Sequence, residues 1–254
     1  MKTNNLKKAL KDGKTVFGPF LKFTDPAVVE VMGFSGFDFV IIDEEHGPIS
    51  IQSVQNMIRA AESVNITPVI RVSSNDEALI LRALDIGAQG IEIPQINKKS
   101  DAIQAVKSVK YSPQGERGMC RYVRASNYSS MNKFEYFKCA NKETMIIAHI
   151  EGVEGVKNLD EILSVHGIDV IFIGPYDLSQ SLGVPGEVNH PLVKEKMKEV
   201  VLKCKKNKVA VGTFADDIKT AKSWVSLGVQ YMAFSVDVGI LYETSKNIVD
   251  HLVN

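Results

Sequence analysis

Short apolar runs alternate with longer stretches of helical periodicity along almost the whole chain. Eight runs are the right length for one strand each: TVFGPFL (15–21), FDFVIID (37–43), TPVIRV (67–72), GIEIPQ (90–95), TMIIAHI (144–150), DVIFIG (169–174), VAVGTF (209–214) and VQYMAFS (229–235). FVII, VIFI and MIIAHI are apolar at consecutive positions, the pattern of a parallel strand covered on both faces. Helical patterns fill the gaps. DPAVVEVMGFSG has Asp25 as N-cap and Pro26 at the first helical position, and NDEALILRALDIG is closed by Gly87. SIQSVQNMIRAAESV (50–64), PLVKEKMKEVVLKCKKN (191–207) and VGILYETSKNIVDHLVN read as further helices. Strands alternating with helices predict an α/β protein with a parallel sheet, and eight repeats close into a (β/α)8 TIM barrel. An open doubly wound sheet would need a Gly-rich turn after an early strand, whereas GFSG (33–36) precedes one.

The 254 residues match the ~250 typical of one barrel. No linker or change of composition divides them, so residues 1–254 are expected to form a single domain. One connection, 111–129, is long and rich in Gly, Arg, Ser and Tyr, and connections of that length are often functional. Lys plus Arg and Asp plus Glu both number 30, so no basic excess points to nucleic acid or an anionic membrane. No stretch approaches the ~20 apolar residues of a membrane span. Cys120, Cys139 and Cys204 are isolated, without CxxC spacing, and read as reduced thiols of a cytoplasmic protein.

Barrel active sites lie at the C-terminal ends of the strands, so polar residues there carry the candidate chemistry. Strand two ends in Asp43, Glu44, Glu45 and His46; strand three in Arg71; strand four at Gln95. Strand five carries His149 and Glu151, strand six leads to Asp177, and strand eight ends in Ser235 and Asp237. Asp85, near the end of a helix, joins this group. Glu151 and Asp177 follow neighbouring strands, where two carboxylates can share a hard divalent cation. Each alone would serve equally as a helix-start acid complementing the dipole. His46 is the natural general base. Arg71 suits a carboxylate or a developing enolate oxygen, and equally a structural ion pair. Arg117, in GERG (115–118), faces either an anionic substrate or a neighbouring subunit, or simply belongs to a surface turn. Lys22 is the one lysine near the rim, which disfavours a Schiff-base mechanism. The loops TFADD and FSVDVG are acidic and poor in Gly, which disfavours a phosphosugar. His166 and His251 read as solvent-facing helix residues, and His190 as part of a helix start.

The strings FVIIDEEHGP, PVIRVSSND, LDIGAQGIEIPQI, YSPQGERG, HIEGVEGVKNLDEIL and IDVIFIGPYDLSQSLG resemble, in order over roughly residues 15–245, the HpcH/HpaI family of class II metal-dependent pyruvate aldolases. The resemblance implies a (β/α)8 barrel and a divalent cation (Mg2+, Mn2+ or Co2+) held by Glu151 and Asp177. It implies His46 as base acting through a metal-associated water, paired with Asp85, and Asp43 supporting the strand-two turn. Arg71 would steady the enolate, and backbone groups around Gly174 and Pro175 would meet the pyruvate carboxylate. The resemblance also implies a homo-oligomer, a trimer or hexamer whose C-terminal helix is exchanged between subunits. One departure stands out: the family commonly has Gln where this chain has His149, which would bind near the metal or its water, become a third ligand, or shift the pH optimum.

The expected reaction is reversible cleavage of a 4-hydroxy-2-oxo acid to pyruvate and an aldehyde. The alternatives are decarboxylation of an oxaloacetate-like acid, or cleavage of an acyl-CoA thioester with Arg117, Arg121 and Arg124 as a basic entrance. A third is a non-catalytic barrel that binds carboxylates.

Overall fold

The computed structural model describes residues 3–253. Its strands are β1 (Val16–Leu21), β2 (Phe39–Asp43), β3 (Thr67–Arg71), β4 (Gly90–Ile93), β5 (Met145–Ile150), β6 (Val170–Ile173), β7 (Ala210–Ala215) and β8 (Tyr231–Val236). They pair in sequence order, all parallel, and β8 returns to β1 to close the barrel. The expected strands and main helices are present, with ends that differ by a residue or two, as fraying termini do. Asp25 caps its helix by accepting from Ala27 N, and Gly87 sits at φ +107° after the helix Glu77–Asp85. The helical pattern after Glu151 resolves into two short helices, Val153–Lys157 and Leu159–Leu163. His166 lies in the exposed turn that follows them rather than in a helix.

Strand parity divides the apolar residues into two layers. Val40, Ile42, Ile70, Ile91, Ile146, Ala148 and Ile171 face outward and pack beneath the helices. Phe39, Ile41, Val69, Met145, Ile147, Val170, Phe172 and Tyr231 point inward and fill the barrel. Two steps further along the same inward parity stand Asp43, Arg71, Glu92 and His149. Asp43 pairs in register with Arg71, and Arg71 with Glu92, so the barrel is apolar below and charged near its C-terminal rim. Gly212 makes room within it: a Cβ there would lie 2.8 Å from Tyr231 and 2.9 Å from Phe172.

The opposite end is closed by a helix, Asn5–Lys11, that strand-and-helix counting did not anticipate. Leu6 and Leu10 pack into the interior cluster. Asn4 holds the helix in place, its backbone N–H donating to Glu143 Oε2 (2.8 Å) and its side-chain amide to Gln89 O (2.9 Å).

Candidate active site

A cavity of about 210 Å³ opens at the C-terminal rim. Its lining includes Asp43, His46, Arg71, His149, Glu151 and Asp177. Asp43 is fully buried at the end of β2. Its carboxylate receives Arg71 through Nε at 2.8 Å and Nη2 at 2.6 Å, a bidentate charge-assisted pair. Asp43 Oδ1 also accepts from the backbone N–H groups of Glu45 (3.1 Å) and His46 (3.2 Å), which fixes the turn that presents His46. Burial by itself raises the Asp43 pKa, but Arg71 and these backbone donors outweigh it and hold the carboxyl below its ordinary value.

Arg71 Nη1 lies 3.1 Å from Glu45 Oε2, and the guanidinium sits over the Phe20 ring at 4.6 Å. Three of the five N–H donors that a guanidinium carries are thus directed at Asp43 and Glu45. Burial raises the Glu45 pKa against the pull of Arg71. Its buried Oε2 is ion-paired with Arg71 but lacks an aligned hydrogen bond. His46 stands above this layer, its side chain 64% exposed, with Nε2 3.9 Å from Glu45 Oε2.

Glu151 follows β5, and Asp177 lies in the first turn of the helix Pro175–Ser181, just after β6; the two strands are neighbours in the sheet. Burial raises the Glu151 pKa, but the adjacent His149 reverses the shift and lowers it overall. The segment before Asp177 is tight. A Cβ on Gly174 would lie 2.9 Å from Asp177 Oδ2, so a residue without a side chain lets the carboxylate fold back over its own backbone. Gly174, Pro175 and Tyr176 line the cavity beside it, and Tyr176 OH donates to Asp216. That hydrogen bond, helped by burial, pushes the Tyr176 pKa up to about 12.

The carboxylates Glu151 and Asp177 are hard oxygen donors suited to Mg2+ or Mn2+, which commonly bind one or two carboxylates and keep other positions for water and substrate. No cluster of three His, Cys, Asp or Glu side chains able to hold a metal occurs among the described residues. A cation here would therefore rest on few protein ligands, which leaves room for a chelating substrate.

Two expectations change. Asp85 does not meet His46 within the chain. It is the last residue of the helix Glu77–Asp85, which runs back against the strands and ends at the far side of the barrel from the rim. There it accepts a 2.6 Å hydrogen bond from Arg117, whose side chain is 2% exposed and stacks over Tyr111 at 4.5 Å. The basic entrance is also absent. Arg117 is committed to Asp85, and Arg124 pairs with Glu62 and donates to Ile86 O beside Gly87, again at the N-terminal side. Arg121 lies on Tyr122 at the surface.

Several pocket residues had no signal in strand-end reading. Phe20, Phe172, Phe214 and Val236 wall the cavity, but as apolar residues of apolar runs they look like core. Lys22 does line the cavity, and its backbone N–H is held by Asp237 at 3.0 Å. Glu92, fully buried in β4, was visible as the lone acid in GIEIP but was read as part of a strand.

The pattern of the HpcH/HpaI aldolase/citrate lyase family matches residues 17–244. The chain belongs to this family. A hydroxypyruvate/pyruvate aldolase of Roseobacter denitrificans is 32% identical over 246 residues, 96% of this chain and 95% of that protein. A 4-hydroxy-2-oxo-heptane-1,7-dioate aldolase of Escherichia coli is 33% identical over 96% of this chain and 92% of its own length. The crystal structure of an HpcH/HpaI aldolase/citrate lyase family protein from Burkholderia cenocepacia superposes with a TM-score of 0.94 at 32% identity, covering 99% of this chain and all of that one. The (β/α)8 fold and membership of an enzyme family of lyases are thereby established.

Proposed function

We propose that this barrel is a metal-assisted aldolase that cleaves a 4-hydroxy-2-oxo acid reversibly to pyruvate and an aldehyde. The observation that carries the proposal is the convergence of Glu151, Asp177, Arg71 and His46 on one cavity. Glu151 and Asp177 would hold the cation. When bound, it would act as a Lewis acid on the 2-oxo group and ease formation of the enolate. Gly174 and Pro175 flank Asp177 where the carboxylate end of the oxo acid would sit. His46 takes the proton from O4 of the substrate. The C3–C4 bond then breaks, its electron pair becomes the enolate of pyruvate, and the aldehyde departs. Arg71, fixed by Asp43 and Glu45, presents its remaining donors to the enolate oxygen. The proton taken from O4 returns to C3 and releases pyruvate.

An acyl-CoA substrate is disfavoured by the ion pairing of Arg117 and Arg124 away from the rim. No described helix is long and apolar enough to cross a membrane, and the three cysteines are unpaired, so we assign the enzyme to the cytoplasm. We also infer a homo-oligomer. In the C-terminal helix Asp237–Val253, residues 241–253 are all exposed, including Leu241, Tyr242, Ile248, Val249, Leu252 and Val253. An apolar stripe of that length calls for a covering surface.

Pyruvate release from a panel of 4-hydroxy-2-oxo acids tests the reaction. Activity is expected to disappear in EDTA and return with Mn2+ or Mg2+, and to be lost in Glu151→Gln and Asp177→Asn. Full activity of the double variant without metal defeats the proposal.

A further inference from the structure

Inside the barrel a string of polar side chains runs across three strands. Tyr231 OH donates to Glu92 Oε1 at 2.8 Å, and Glu92 Oε2 lies 3.1 Å from His149 Nε2. His149 Nδ1 in turn lies 3.4 Å from Glu151 Oε1. Glu92 and Tyr231 are fully buried and His149 is 2% exposed. The imidazole lies flat against Phe172, with centroids 4.3 Å apart and 13° between planes, and Tyr231 stacks on Phe39 at 4.3 Å. The ring therefore has little freedom to turn, and each of its nitrogens is directed at a carboxylate.

Stability alone does not explain this arrangement. Apolar residues of similar volume usually fill a barrel interior at no loss, because charges removed from water recover little of their hydration. Glu92 is held between Tyr231 and His149, and the string ends on Glu151, a carboxylate that faces the cavity and also accepts the backbone N–H of Gln95. Polar partners of a metal-binding carboxylate orient it, and losing them typically costs about 10- to 100-fold in metal affinity.

We propose that Tyr231, Glu92 and His149 form a positioning string that clamps Oε1 of Glu151 and turns its second oxygen toward the cation. The proposal rests on Glu151 being a ligand of that cation. None of the three residues touches the reacting atoms. His149 acts through Glu151, and the other two act through His149.

The test is Mn2+ binding to the full-length protein, read from the electron paramagnetic resonance signal of free Mn2+, alongside thermal melting in EDTA. The triple variant Tyr231→Phe, Glu92→Leu, His149→Phe keeps the stacked rings and removes the buried charge of Glu92 together with its partners, leaving only the part-exposed Glu151 without its imidazole, so its melting temperature should change little. Its Mn2+ affinity should fall about 10- to 100-fold. A glutamine at 149 can still donate to Glu151, so His149→Gln in the Tyr231→Phe, Glu92→Leu background should recover most of the loss. A folded triple variant that binds Mn2+ as tightly as the unmodified protein overturns the proposal. Should the triple variant fail to fold, Tyr231→Phe alone decides, since it removes one hydrogen bond at the far end: a weaker Mn2+ affinity supports the string and an unchanged one overturns it. Glu151→Gln separates the two levels. Unchanged Mn2+ binding in that variant refutes the cation site itself, whereas its loss beside an unaffected triple variant refutes only the positioning role.

Discussion

Replacing Asp43 with Asn keeps the shape of the side chain and removes its charge. Asp43 is fully buried, and its two oxygens take the Nε and Nη2 donors of Arg71 at 2.8 and 2.6 Å. In Asp43→Asn one acceptor becomes an amide that points donors at donors. Breaking a buried pair from one side costs about 3–5 kcal/mol. Arg71 keeps Glu45 at 3.1 Å as a second anion and is itself 13% exposed, so the low end, ~3 kcal/mol, applies. For a chain of this size that corresponds to a drop of about 6–12 °C in melting temperature. The double variant Asp43→Asn, Arg71→Met removes both partners and should recover part of the loss. The pH dependence carries a sign. Because the Asp43 pKa is depressed in the fold, its contribution is complete above the unfolded value of about 3.9 and disappears as pH falls through the folded value. The gap between the unmodified protein and Asp43→Asn should therefore be widest near neutrality and narrow on acidification. Thermal melts followed by circular dichroism across that range provide the assay. A gap below about 1 °C at neutral pH, or one that does not change with pH, refutes the reasoning.

Other consequences are equally direct. Gly174→Ala places a methyl group 2.9 Å from Asp177 Oδ2 at a φ of −74° that alanine tolerates, so Mn2+ affinity should fall at least tenfold with little change in melting temperature; unchanged binding removes the argument for that glycine. Lys22 lines the cavity, yet a metal-assisted reaction has no need of an imine. Borohydride added with pyruvate should leave mass and activity unchanged, and a stable adduct on Lys22 would reverse the mechanism. Ending the chain after residue 240 removes the exposed apolar stripe, and the truncated protein should sediment at a lower mass with its far-ultraviolet spectrum otherwise preserved. An unchanged oligomeric state would refute the role proposed for this helix.

The barrel was legible because the strands' apolar runs alternate with helical patterns, several of them marked by caps such as Asp25 and Gly87, which are local chemistry. The rim residues Asp43, Arg71, Glu151 and Asp177 were legible for a related reason: parity and strand ends alone place them around one opening. Asp85 was grouped with the rim residues although it ends a helix that starts at the rim, and a helix that runs back along the barrel carries its last residue away from that rim, where within this chain Asp85 meets Arg117 and not His46. Glu92 and Tyr231 were missed because a partner on another strand, 139 positions away, leaves no trace in local pattern. The apolar wall of the cavity escaped notice because Phe20 and Phe172 have the same composition and periodicity as core.

The helix Asn5–Lys11, with Leu6 and Leu10 set into the interior cluster, gives the barrel a floor. Above it Phe39, Ile41, Val69 and Phe172 fill the barrel, and the cavity opens at the rim. A vessel with one mouth imposes an order on what leaves it. Under the proposed cleavage, the fragment held nearest Arg71 and Glu151 would lie deepest and depart last, after the fragment between it and solvent had cleared. Product inhibition should bear that stamp: the deeper fragment competes directly with the incoming substrate, whereas the outer one competes only with its own return.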